Sequence, residues 1–319
     1  MFLSMLCRAI RYSTVFLYGS TGETIMEKSG HLNLGIPGIM CIGAVGGCTG
    51  VNIYMSGLEN VSQIVPFALI LTGILFSMLF AGLAGLLYGF MTISLRCNQN
   101  VTGLALTTMG TGLLIYWGKT IGSQISFIAP SDVFVKLFPA EWSQNAFGQL
   151  FCSYGILVYL AIAIAVVTAI IFRRTKTGLS LKAVGENPAT ADAVGINVTG
   201  YKYVSCVLGS AIAGIGGLFY VMDYCKGNLE YVIDAMGWLA VALVIFSMWR
   251  PLLGIVGSII FGFLNVLPNY INATFAQMEL VNMLPYAVTI IVLVVVSIIG
   301  KKETQPPASL GLNYFREDR

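Results

Sequence analysis

The chain has 319 residues, 57% of them hydrophobic and 10% charged, with 36 glycines and a formal net charge of +3. A soluble domain carries about 25% charged residues, so this composition excludes an ordinary soluble globule, and the small, dispersed charge excludes a nucleic-acid partner. The class that fits is an all-α, polytopic transmembrane helical bundle in a lipid bilayer, with glycine abundant where helices pack closely.

A membrane span needs about 20 apolar residues. In chain order, 12–22 is a marginal first span, short and preceded by Arg8 and Arg11, and 32–58 is a second. The stretch 66–95 is long and glycine-rich, which predicts a tilted or bent helix. Further spans follow at 97–118, 151–172 and 203–222. The run 235–249 is too short for a straight crossing, whereas 251–271 and 282–300 are long enough. The total is about nine segments, roughly eight to ten when one or two are broken or re-entrant. Residues 1–302 read as one transmembrane domain and 303–319 as a polar cytoplasmic tail. No cleavable signal peptide is expected, because the first apolar stretch lacks a small-residue cleavage site.

Basic residues set the orientation. Arg173, Arg174, Lys176 and Lys182 share one loop, and Lys301, Lys302, Arg316 and Arg319 lie in the tail, which assigns both to the cytoplasm. Counting spans from there leaves 119–150, 223–234 and 272–281 outside, and the N-terminus outside as well, against Arg8 and Arg11. In 119–150, Phe127, Phe134 and Phe138 among polar residues fit either a short amphipathic helix on the outer face or a wet loop.

Few motifs carry chemistry. Gly118-Lys119-Thr120 imitates the end of a phosphate-binding loop, but position 113 is Leu and the segment closes a membrane span, so no ATP site is read there. The seven cysteines are scattered without a C-x-x-C pair and read as small buried hydrophobes, and His31 has no cluster of ligands around it. Ion-coupled transporters carry ionisable groups inside the membrane; here Glu23, with Glu27 one turn later, stands nearly alone. Residues 22–38 mix Glu, Lys, Asn, Gly and Pro where two spans join, which fits a broken-helix entry with Asn33 near a pathway, or a plain turn.

The longest folded-looking polar stretch is 173–200. Leu179, Leu181, Ala183 and Val184 offer an apolar edge, Glu186-Asn187-Pro188 makes a turn, and Ala189 to Val194 is a helix candidate ended by Gly195. Two short helical pieces result, one face for the spans and one for a partner's groove.

This stretch resembles the coupling segment of ABC-importer permeases, in the branched-chain amino acid, ribose and nucleoside permease superfamily, nearest to its nucleoside group. The residues that carry the resemblance are Gly178, Leu179, Lys182, Ala183, Val184, Gly185, Glu186, Asn187, Pro188, Ala191, Asp192, Gly195 and Ile196. Lys182 stands where that group usually has Arg, which keeps the charge without a bidentate contact. Gly22, Glu23, Ser29, Gly30, Leu32, Asn33, Gly35, Gly38 and Met40 resemble the group's early motif, with His31 and Pro37 as departures, and 237–262 and 307–314 resemble its late spans and tail. The resemblance implies a bacterial inner-membrane machine. Two permease chains form the path, two ATPase subunits bind the coupling segments, and a substrate-binding protein docks outside. It implies no cofactor in this chain, ATP and Mg being held by the ATPase. A path for nucleosides, sugars or branched-chain amino acids is expected to be lined by weakly polar groups, with Asn33, Thr107 and Thr108 as candidates. An ion-coupled secondary transporter and a structural membrane protein are the readings from other classes.

Overall fold

The computed structural model describes residues 2–60, 63–120, 127–143, 145–228, 234–271, 275–299 and 305–315. The α-helices are α1 (Phe2–Glu27), α2 (Ile36–Ser56), α3 (Pro66–Gly89), α4 (Gln99–Thr120), α5 (Ile128–Val135), α6 (Ala146–Cys152), α7 (Ile156–Arg174), α8 (Lys176–Glu186), α9 (Pro188–Ala193), α10 (Val198–Phe219), α11 (Asp234–Phe246), α12 (Pro251–Val266), α13 (Phe275–Asn282) and α14 (Leu284–Ile299). Among the described residues, 6 helical stretches are long and apolar enough to cross a bilayer, so the chain is a multi-pass, all-α membrane protein. The basic tail residues Lys301, Lys302, Arg316 and Arg319 lie outside the described residues.

Lipid tails are as apolar as Leu, so helices in a bilayer associate through close van der Waals contact rather than through the hydrophobic effect. Small residues therefore choose the centre. In α2 and α10 the span windows are 83% and 78% buried, against 33% for the stretch that contains α3. A Cβ on Gly22 of α1 would fall on the Gly209 backbone of α10, and one on Gly43 of α2 would fall on that of Gly214. The helices α1, α2 and α10 thus cross backbone to backbone. The leucine-rich flank of α3, with Leu75, Leu79 and Leu83 exposed, faces outward as lipid contact requires.

The packing pairs come in mates. Helix α3 packs on α10 as α12 packs on α1; α2 packs on α10 as α11 packs on α1; α4 lies on α2 as α14 lies on α11. The mates run in opposite directions, which is an inverted internal repeat. α1 ends beside Gly185 and Trp249 at the face that carries α8 and α9, whereas α10 starts there and ends beside Arg11. The start of α1 lies at the far face. Arg11 forms an ion pair with Asp223, and the Arg8 guanidinium lies 5.7 Å from the centre of the Tyr270 ring. These two cations have local partners, which is why they need not report orientation as a free basic cluster would. In the loop 119–150, the described residues include α5, a 3-10 turn at Ala140–Ser143 and the start of α6, with Phe127 and Phe134 buried under the far face, and Phe138 stacked on exposed Trp142.

Between α1 and α2 the backbone re-enters the bundle without helical structure. Ile36, the first residue of α2, lies at the depth of Gly19, well inside α1, and Pro37 meets Gly237 of α11. Irregular backbone at this depth must find protein partners, since none come from lipid. The partners are side chains of three helices. Glu23 accepts from the Asn33 amide at 2.9 Å and Gln99 from the Leu32 amide at 2.9 Å. Tyr88 donates to the Leu32 carbonyl at 2.7 Å, and Thr107 donates to the Leu34 carbonyl at 2.9 Å. Asn33 Oδ1 accepts from the Gly35 amide at 2.8 Å at the start of α2. The three path candidates are therefore placed differently. Asn33 and Thr107 are buried and hydrogen-bonded to the re-entrant backbone, and Thr108 is exposed on α4, bonded back to Leu104.

Two outcomes follow from this packing. Gly43→Leu collides with the Gly214 backbone, where overpacking costs about 1–3 kcal/mol or more. It is expected to cut the yield of monodisperse protein in fluorescence-detected gel filtration, while Gly112→Leu, with nothing within 4 Å of the new Cβ, leaves it unchanged. Glu23→Leu strands the Asn33 amide, a loss of about 1–3 kcal/mol, whereas Glu23→Gln keeps an acceptor. The thermal midpoint is expected to fall in the first variant well below that in the second.

Candidate functional site

The polar stretch between α7 and α10 folds as two short helices, and its caps explain where they start and stop. Arg173 and Arg174 close α7 at the pole that favours cations. Thr175 Oγ1 accepts from the Gly178 amide at 3.1 Å and starts α8. Asn187 Oδ1 accepts from the Thr190 amide at 3.0 Å and starts α9, with Pro188 at the first helical position, where its missing N–H costs nothing. Gly195 takes φ 86, and the Ile196 amide donates to the Ala191 carbonyl at 3.0 Å, a Schellman end that only a residue tolerant of the left-handed region accepts cheaply.

One face of the pair is internal. Val184 of α8, Ala191 of α9 and Val198 of α10 are buried together, with Ala183, Ile196 and Tyr201 packed against them. A Cβ on Gly178 would fall on the Ile171 carbonyl, so α8 lies flush on the end of α7. Lys182 is half-buried, its Nζ 5.9 Å from the Phe172 ring centre. Leu181 is buried with Val184, but Leu179 is not part of this edge. The α-helical period turns Leu179 away, and it is 69% exposed; Val194, at the end of α9, is 72% exposed. Glu186 and Asn187 are exposed beside them. The outward surface of the pair therefore carries two bare aliphatic side chains on a polar ground.

Gly185 links this pair to the bundle. A Cβ there would fall on the Lys28 carbonyl, at the start of the re-entrant segment. The segment 305–315 binds both sides of the contact. The Ser309 amide donates to the Gly185 carbonyl at 3.0 Å, and the Gly311 amide donates to the Gly30 carbonyl at 3.1 Å. Asn313 Nδ2 donates to the Arg96 carbonyl at 2.8 Å, and the Tyr314 hydroxyl donates to Asp192 at 3.0 Å. Sequence reasoning found the helix pair but not this clasp. It also missed Trp249, whose indole N–H donates to Glu27 from a turn where Met248 and Trp249 both have positive φ, 53 and 55. Two bulky residues in the left-handed region are strained, and the hydrogen bond to buried Glu27 is one of the contacts that hold them there.

Comparison with known proteins gives this arrangement a context. A nucleoside ABC transporter permease of Lactococcus lactis, NupC, is 29% identical over 315 residues, covering 96% of this chain and 94% of its own. A guanosine ABC transporter permease of Bacillus subtilis, NupQ, is 27% identical over 315 residues, covering 97% of this chain and 95% of its own. A Haloferax volcanii ABC transporter permease provisionally named for glucose is 30% identical over 263 residues, covering 82% of this chain and 76% of its own. The family model described as branched-chain amino acid transport system / permease component matches residues 5–293. With that match spanning nearly all of the bundle, the chain belongs to the family of branched-chain amino acid transport system permease components.

Proposed function

We propose that this chain is the membrane-spanning subunit of an ATP-driven importer of nucleosides, and that α8 and α9 are the helices through which an ATPase partner moves it. The observation that carries the coupling reading is the shape of the pair, buried on one side with Leu179 and Val194 exposed on the other. An amphipathic helix pair of that kind suits a groove on a second protein. In this reading ATP and Mg are bound by the ATPase, and the face carrying α8, α9 and the tail is cytoplasmic. The far face meets a substrate-binding protein, and a second permease chain completes the path. Gly185, seated on Lys28 and Gly30, delivers a displacement of α8 to the segment that starts α2. Glu186 and Asn187 flank the exposed aliphatic pair, and Asn33 and Thr107 hold the segment beside the path rather than the solute itself.

The nucleoside reading is supported by the two nucleoside permeases that match along nearly their whole length. A sugar is the second reading, favoured by the Haloferax relative.

Leu179→Asp with Val194→Asp is expected to leave membrane insertion and gel-filtration behaviour unchanged and to abolish co-purification of the ATPase subunit. Retention of the ATPase by the double variant would remove the coupling assignment. In proteoliposomes holding the full complex, labelled guanosine or uridine is expected to enter only with ATP inside, and excess glucose leaves the uptake unchanged. Uptake under an ion gradient without ATP overturns the ATP-driven reading, and competition by glucose favours the sugar.

A further inference from the structure

The face that carries α8 and α9 also holds a strongly basic cleft beside the exposed aliphatic pair assigned to coupling. It has a volume of about 520 Å³ and lies between the end of α7, the side of α8 and the turn from α11 into α12. Lys28, Arg173, Lys182 and Arg250 all line it, and among the described residues Glu186 is the one carboxylate that does. Burial lowers the pKa of Lys28, and the charge of Lys182 lowers it further, despite the nearby Glu186 and Glu27. Lys182 is likewise lowered, first by burial and then by Arg173 and Arg250. Like charges are held together in a partly desolvated place, which an anion would relieve. The cleft also touches the start of α12, where no side chain caps the first turn and the helix pole is positive.

Its position narrows the chemistry of the anion. Phe172 lies in the last turn of one span and Pro251 begins another, so the cleft sits at the level where bilayer meets water. Beside it Ile170, Ile171, Leu252 and Leu253 are exposed on the bundle's outer surface, as lipid-facing residues are. Cations above an apolar flank at a span end match the amphiphilic order of an acidic phospholipid, head group over acyl chain.

We propose that this cleft binds a phosphate-bearing anion, supplied by the head group of an acidic phospholipid or by a soluble phosphate. The purified full chain is placed in nanodiscs of phosphatidylglycerol or phosphatidylcholine, and in neutral detergent with or without inorganic phosphate. Its thermal midpoint and the lipids retained in native mass spectrometry are measured. Phosphatidylglycerol is expected to raise the midpoint and to be retained in preference. Arg173→Gln with Arg250→Gln is expected to weaken that preference about 30-fold, from two contributions of about 1 kcal/mol each. An unchanged midpoint in phosphatidylcholine shows that the double variant folds, and Lys182→Gln, on another wall, is expected to lower the preference by a smaller factor. If inorganic phosphate alone reproduces the stabilisation, the site stands and its source is soluble. Equal behaviour in both lipids with no response to phosphate overturns the proposal, as does a preference that survives the double variant. ATPase binding that is lost in the double variant, with neither anion retained by the parent chain, also overturns it and assigns the cleft to the protein partner. Transport is not the readout, so failure here is separable from failure of the coupling reading.

Discussion

The structure depends on how a stretch of non-helical backbone survives inside the bundle. Residues 31–35 carry amides and carbonyls to the depth of Gly19, where neither lipid nor a continuous helix can satisfy them. Glu23, Tyr88, Gln99 and Thr107 converge on this segment and make the hydrogen bonds that a helix would have made internally. Much of the polar chemistry in an otherwise apolar chain is thereby explained. Each of these groups is worth about 1–3 kcal/mol to the fold if its loss strands a buried partner. Glu23, the acid that on its own suggests ion coupling, has a part in the fold, because its carboxyl group holds the Asn33 amide.

The same segment is where the peripheral helices meet the core. Gly185 of α8 rests on Lys28, and the tail ties Gly185 and Gly30 into one hydrogen-bonded unit. Trp249, from the turn between α11 and α12, anchors on Glu27 at the end of α1. The break between α1 and α2 is thus bordered by elements from both halves of the inverted repeat. Packed interfaces resist continuous deformation, so the small backbone-to-backbone contacts around Gly185 behave as a rigid link rather than a cushion.

Much of the fold was legible. Charge-free runs located the principal spans because burying a charge in lipid is costly enough to leave a plain mark in composition. The limits of α8 and α9 were legible from Asn187, Pro188 and Gly195, because caps act locally and need only neighbouring residues. Leu179 was not: an apolar residue beside Leu181 and Ala183 looks internal, and only the direction of each side chain around the helix separates them. Asn33 was legible as a polar residue near a break, and Thr107 as a weakly polar residue within a span. The hydrogen bond from Thr107 to the Leu34 carbonyl was not, since the two residues lie 73 positions apart in the chain.

The sequence by itself determined the class, most of the spans, the two-helix insert and the family, because hydropathy, helix caps and motif residues are properties of contiguous chain. Tertiary structure decided the crossing of α1, α2 and α10 at glycine, the partners of the re-entrant backbone, the clasp of the tail on Gly185 and the convergence of four cations in one cleft. Those features join residues separated by most of the chain. Their energies depend on distance and burial, quantities that a linear order of residues does not contain.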